Sequence, residues 1–521
     1  MDMVMESAFS RLRANLRDPS GRKNALMLVG GKMIGVAIVL FLIHSLMPGA
    51  AHAQDASDST DTVASINAIN TAWVLIAAFL VFGMQVGFVM LESGFARERE
   101  SVNILVEGIA DTCICGILFW AIGFAFMFED GNKFIGTHGF FLQNLPDTYG
   151  TTGVPLLAFW VFQFAFADTA STITSGAMVG RCGFIGDILY SIGVTGFIYP
   201  IVGHWAWGPD GWLALRGFHD FAGSTVVHTI GGTISLAGAI ALGPRLGRVF
   251  RRDGGGPMPP HNLILGAVGG LILWFGWYGF NPGSTLSAMD AQGIGRVSFN
   301  TTLAACSAGL TALFYSYARS GKWDLGLTVN GFLAGLVAIT APCYWVNPTG
   351  AFAIGIIGSG AMIIGLEVLE YLRIDDPIGA VPVHMFAGMA GTISLGLFGA
   401  GRFGLPTTVG ADATTTLVGS SSSTVDGLFY GGGTHLLWVQ TYGTVSVMLA
   451  VLAVSLVLMY AVKLTGTLRV SEAGELEGLD LHEHGASGYP EFVVNRGMYT
   501  GSVASRVPVS APAPTASGTP R

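Results

Sequence analysis

Apolar residues fall along this chain in long unbroken blocks. They do not show the alternation of a half-buried strand or the stripe of a surface helix. Eleven blocks reach the roughly 20 residues that cross a bilayer. They cover about 70–93, 104–128, 155–180, 184–206, 221–243, 261–281, 297–319, 326–345, 350–371, 381–400 and 438–464. Lipid offers no water to satisfy a bare backbone, so blocks of this kind form helices. The pattern predicts an all-α polytopic membrane protein with eleven transmembrane helices.

Two blocks stand apart. The fifth is preceded by His219 and Asp220 and carries His228; the tenth carries His384. Both read Val-His, place a glycine four residues later (Gly232, Gly388) and contain Thr-Ile-Ser-Leu. Ionisable groups at membrane depth are costly and mark a conduction path. Blocks one to five and six to ten form two halves with an odd number of helices each, so the halves run in opposite directions. The expected architecture is two inverted five-helix repeats plus one extra helix, with a site at the midplane between the repeats.

The ends follow from local pattern. Basic residues from Arg11 to Lys32 precede the apolar run Met33–Met47, and Ala51-His52-Ala53 offers a cleavage site, so 1–53 reads as a signal peptide. Residues 54–68 follow as a periplasmic N-terminal segment. With the N-terminus outside, eleven helices put the C-terminus in the cytoplasm. Basic residues test that orientation. The loops assigned inside hold Arg97, Arg99, Arg181, Arg245, Arg248, Arg251, Arg252, Arg319, Lys322 and Arg373; the outer loops hold only Lys133, Arg216, Arg296 and Arg402. The expected location is the inner membrane of a bacterial cell. The Gly/Ser/Thr-rich loop 401–437 reads as flexible and external. A transmembrane domain over 69–465 is followed by a patterned acidic segment, 466–500, that reads as a cytoplasmic regulatory tail. The Pro/Ser/Ala-rich residues 501–521 read as disordered.

Composition agrees. Of 521 residues 51% are hydrophobic and 11% charged, against about 25% charged in an ordinary soluble domain. The 75 glycines suit close helix approach in a membrane. No basic domain exists to bind nucleic acid, and the net charge of −8 says little about partners. Cys113 and Cys115 lie two apart on a helix and point to different faces. With Cys182, Cys306 and Cys343 they read as small hydrophobes, not a metal site. No cofactor and no enzymatic activity are expected.

Seven runs carry a family likeness: MQVGFVMLESGFAR (84–97), FQFAFADTASTITSGA (162–177), YPIVGHWAWG (199–208), DFAGSTVVH (220–228), LWFGWYGFNPGS (273–284), DDPIGAVPVH (375–384) and VSEAGELEGLDLHEHG (470–485). Through them the chain resembles the ammonium transporter (Amt/Mep/Rh) family, specifically its microbial Amt branch, over most of 70–490. The resemblance implies a homotrimer with one pore per subunit, moving ammonium or ammonia. It also implies a PII-type signalling protein as partner at the cytoplasmic face.

It assigns roles as well. His228 and His384 are implied to meet edge to edge in a narrow apolar pore and share a hydrogen bond, one neutral imidazole donating and the other accepting. Trp207 and Ser284, with Phe166 nearby, match an outer recruitment site, where an aromatic face attracts a small cation by about 0.5–2 kcal/mol. Phe280 matches one of two stacked rings that close the pore. The partner position reads Ala170, so the second ring is expected to be missing, and Phe166 is left to cover the entrance. Trp277 is placed at the pore wall. Asp220 can bind the cation or cap its helix; capping is favoured. Asp168 is expected to be a satisfied acid facing the bundle.

Three positions depart from the family pattern. Its basic run after the first helix is Arg97-Glu98-Arg99-Glu100 here, and a commonly basic position is Glu107. His482 replaces a phosphorylated tail threonine of plant members, which excludes that modification. Two further readings are weighed: an ammonium sensor signalling through its tail, and an Rh-like channel for NH3 or CO2, which fits the tail and Trp207 less well.

Overall fold

The computed structural model describes residues 59–150, 152–400 and 425–490. The expected signal peptide, positions 401–424 of the expected external loop and everything after 490 lie outside the described residues.

Among the described residues ten helical stretches are long and apolar enough to cross a membrane. They are Val63–Phe95, Glu98–Phe128, Leu156–Gly176, Phe184–Trp207, Ser224–Leu242, Leu263–Gly283, Ala291–Ser320, Pro348–Leu372, Val381–Phe398 and His435–Leu464. The remaining predicted block forms a shorter helix, Leu325–Thr340, which at 1.5 Å per residue falls short of a full bilayer. Counting it eighth gives the eleven expected segments in order. The first helix begins at Ser59, inside the stretch assigned to a periplasmic segment, because a nucleated helix propagates through its polar first turns at little cost.

Sequence sets several helix starts directly. Asp290 accepts from Gly293 N at 2.9 Å, Asp324 from Leu327 N at 2.8 Å and Asn347 from Gly350 N at 2.9 Å. Each occupies the N-cap place and satisfies amides that have no partner within the helix. The short antiparallel pairs Gly131–Asn132 with Ile135–Gly136 and Thr148–Tyr149 with Val154–Pro155 decorate the loop after the second span.

The fifth and tenth spans carry the repeat. Each opens with a π-helical turn, Ser224–Thr229 and Val381–Phe386, and each turn holds one of the two histidines. Ahead of each turn a glycine takes a left-handed conformation, Gly223 at φ 117° and Gly379 at φ 85°, which a side chain would strain. Ahead of each glycine an aspartate caps the turn. The shared pattern Asp-x-x-Gly-x-x-x-Val-His, at 220–228 and 376–384, was legible before folding and is longer than the Val-His match.

The glycine four residues past each histidine is where the halves meet. A Cβ on Gly232 would lie 2.4 Å from Met385 N, and one on Gly388 would lie 2.5 Å from the Ser224 carbonyl oxygen. Each half therefore seats the other's histidine turn against bare backbone. Gly232→Ala is expected to push the two turns apart and lower uptake several-fold in protein that remains folded. Transport assays on reconstituted protein check this. Thr225 Oγ1 lies 2.8 Å from Thr392 Oγ1 and 3.0 Å from Thr444 Oγ1, tying both halves to the eleventh span.

Candidate functional site

His228 and His384 face each other across the repeat interface, with Nδ1 to Nδ1 at 3.2 Å and ring centroids 5.2 Å apart. Both are buried, His228 completely and His384 at 7% exposure. A contact of this length between two ring nitrogens requires one to donate and the other to accept. Among the described residues the Nε2 of His228 has no hydrogen-bond partner. One ring nitrogen of the pair thus points into apolar surroundings with its capacity unused.

A column of rings runs from this pair in both directions. Trp277 stacks on His228 at 5.2 Å and is held by a hydrogen bond from its Nε1 to Thr340 Oγ1 at 3.0 Å. Phe280 lies 5.4 Å from His228 on the same side. Phe166 stacks on Phe280 at 4.1 Å with planes 28° apart. The pairing expected to be missing at Ala170 is therefore made by Phe166, one helical turn earlier. Residues four apart lie on one helix face, so sequence could not say which of them meets Phe280.

Beyond Phe166 lies Trp207, edge to face at 6.2 Å. Its Nε1 donates to the Asp220 carbonyl at 2.8 Å, which fixes the indole. Ser284 sits one turn past Phe280 and donates to that residue's carbonyl at 2.8 Å. Its single hydrogen is therefore engaged, and its lone pairs remain free to accept from an N–H. Phe162 was not singled out in the sequence, yet it packs on Phe166 at 4.7 Å and borders Gly283. Its signal was available: Phe162 and Phe166 are spaced one turn apart in a single motif. On the far side of the pair, Phe88 lies 6.4 Å from His384.

Asp220 does not face open space. Its Oδ1 accepts from Gly223 N at 2.8 Å, and its Oδ2 accepts from Thr225 N at 2.8 Å and Val226 N at 2.9 Å. Asp376 repeats this on Gly379, Ala380 and Val381. The neighbouring Asp375 is gripped by Arg245, whose Nε and Nη2 donate at 2.8 and 3.0 Å. Burial alone would push this carboxyl up. The hydrogen bonds and charge of Arg245, with Arg181 nearby, overcome burial and hold it well below the usual carboxylate range. Asp168, expected to be a satisfied acid facing the bundle, is wholly buried and accepts from Thr112 Oγ1 at 3.0 Å, with the Gln85 side chain nearby.

One residue that departs from the family pattern, Arg99, holds the tail. Arg97 pairs with Glu100, and Arg99 Nη1 donates to the Leu476 carbonyl at 2.5 Å. Asp480 accepts from Asn103 N at 2.9 Å, and the short helices Glu472–Glu477 and Leu479–His484 lie against this face. Cys113 is exposed and Cys115 buried, on different faces as expected.

Residues 72–489 match the family model described as Ammonium Transporter Family. The chain belongs to that family. The ammonium transporter Amt2 of Archaeoglobus fulgidus is 38% identical over 477 residues, covering 89% of this chain and 97% of the relative. Among solved structures, a Sensor Amt Protein is 36% identical with a TM-score of 0.72, covering 81% of this chain and 99% of that one. Candida albicans Mep2 is 26% identical with a TM-score of 0.70, covering 79% and 88%. As a member of this family the chain is a multi-pass membrane protein that transports ammonium, and it is not an enzyme.

Proposed function

We propose that ammonium crosses the bacterial inner membrane through this column of rings, entering beside Trp207, Phe166 and Ser284 and passing the His228–His384 pair. The observation that carries the reading is the 3.2 Å contact between two buried imidazoles contributed by oppositely directed repeats. A lone buried histidine is ordinarily structural. Two that meet at a repeat interface, with an unused ring nitrogen, are suited to hand a proton or a hydrogen bond along an apolar passage.

The obstacle is dehydration. Moving a bare cation into a low-dielectric channel costs far more than an aromatic face returns. Capture of NH4+ at the outer ring cluster, loss of its proton there, and passage of NH3 between Phe166 and Phe280 avoid most of that cost. The histidine pair takes up that proton and returns it to NH3 on the far side, so ammonium enters and ammonium leaves. K+ has similar size and charge but no proton to give up, so it stops at the entrance. Reconstituted protein is therefore expected to give a current on ammonium addition and none on K+. Trp207→Leu should raise the half-saturating ammonium concentration about 2- to 30-fold, the equivalent of one cation–π contact. A K+ current equal to the ammonium current would sink the reading.

The remaining expectations from the resemblance belong here as well: a homotrimer, the basic face in the cytoplasm, Asp220 serving the entrance from behind as a cap, and a PII-type protein as partner. The docked tail and the solved Sensor Amt Protein favour one second reading, a sensor whose tail reports occupancy. A wild-type protein that binds ammonium tightly and passes none would support it.

A further inference from the structure

On the arginine-rich side of the histidine pair the rings end in a small cavity of about 20 Å³, lined by Phe88, Glu92, Asn330, Ile378 and His384. That is room for one water-sized molecule, and ammonia or ammonium is of that size. A second cavity of about 720 Å³ shares Asn330, Ile378 and Gly379 with it and opens among Arg248, Arg319 and Glu367. The small cavity is thus the last narrow station before a wide mouth.

Glu92 is the group there without an evident use. It is 4% exposed, and among the described residues no Lys or Arg lies within ion-pair distance of it. Among the described residues its side chain has one donor, the Ser175 hydroxyl at 3.2 Å from Oε2. That hydroxyl has a nearer acceptor, the Thr172 carbonyl at 2.8 Å, and only one hydrogen to give. A buried carboxylate so poorly supplied with donors is costly to keep, and such groups are retained where a ligand completes them. The cavity holds this acceptor and His384 on one small volume. What fits is a small cation carrying several N–H donors.

We propose that Glu92 and His384 form an inner ammonium site, where the ammonium re-formed from NH3 and the relayed proton is held by the Glu92 carboxylate before it enters the wide mouth. The inference rests on the pore reading above. Four N–H donors let ammonium bond the carboxylate and leave others for water at the mouth. K+ offers charge but no donor, so the site prefers ammonium. Because the carboxylate sits past the histidines, it sets how readily ammonium on the arginine-rich side reoccupies the path.

The test uses purified full chain and ammonium chloride, with potassium chloride as control. Ammonium-induced difference infrared spectra should show a perturbed carboxylate band in the wild type, absent with K+. Glu92→Gln should abolish the band and raise the inhibitory concentration of trans-side ammonium about tenfold, the difference between a charged and a neutral acceptor. The half-saturating concentration on the outer side should stay unchanged, which a general loss of packing would not produce. An unaltered band and unaltered trans-side inhibition in Glu92→Gln overturn the inner site. If Glu92→Gln does not fold, Glu92→Asp decides: it keeps the carboxylate but draws it back by one methylene, so the band must shift and trans-side inhibition must weaken, and an unshifted band with unaltered inhibition overturns the proposal. The histidine variants separate the two readings. Normal uptake in His384→Ala defeats the pore itself, whereas lost uptake there beside a wild-type response in Glu92→Gln defeats only this site.

Discussion

Replacing either His228 or His384 with alanine is expected to lower saturable uptake of labelled methylammonium about 10- to 100-fold in protein that still folds. Two losses combine in this estimate. The surviving ring keeps an Nδ1 that has lost its partner in a dry place, which costs about 1–3 kcal/mol. The passage also loses one of two groups able to accept from or donate to ammonia nitrogen. Each 1.4 kcal/mol on the barrier is about tenfold in rate. The double variant should be no worse than the poorer single one, because the two rings act as one unit. Thermal unfolding of each variant, measured beside uptake, separates loss of passage from loss of fold. Uptake near wild type in both single variants would remove the histidine pair from the mechanism.

Asp220→Ala is expected to destabilise the folded protein by about 3 kcal/mol or more, since three buried N–H groups lose their acceptor together. Those groups belong to Gly223, Thr225 and Val226, at the start of the turn that carries His228. The left-handed turn at Gly223 is held in place by the same carboxylate, so its removal frees the turn as well as unsatisfying it. Asp220→Asn should fall between, because one oxygen remains to accept. Asp376→Ala is an internal control: it removes the matching cap in the other repeat and should cost a similar amount. Thermal unfolding in detergent, followed by fluorescence or size-exclusion recovery, measures this. An Asp220→Ala protein as stable as wild type but without ammonium current would mean the carboxylate acts on the cation instead.

Much of this was legible before any coordinates. Hydrophobic blocks of bilayer length fix helices because lipid leaves the backbone no other solution, and two odd-numbered halves fix their opposed directions. Caps such as Asp290, Asp324 and Asn347, though not singled out in the sequence, are equally local, since each bonds the amide three residues on. The glycines after each histidine stood out as a pattern, though their use did not: Gly232 and Gly388 matter through the backbone of Met385 and Ser224, far off in the chain.

What sequence alone determined is everything carried by local chemistry: eleven segments, their order, the paired histidines and the residues that start each turn. Tertiary structure decided which side chains meet. It put Phe166 on Phe280, although position 170 looked like the missing partner, because ring contacts depend on how two helices are rotated against each other and not on spacing within one. It also placed Glu92 beside His384. Sequence shows an acid near the end of a span, but only packing reveals that its donor is shared, that no basic residue sits beside it among the described residues, and that it lines one cavity with His384.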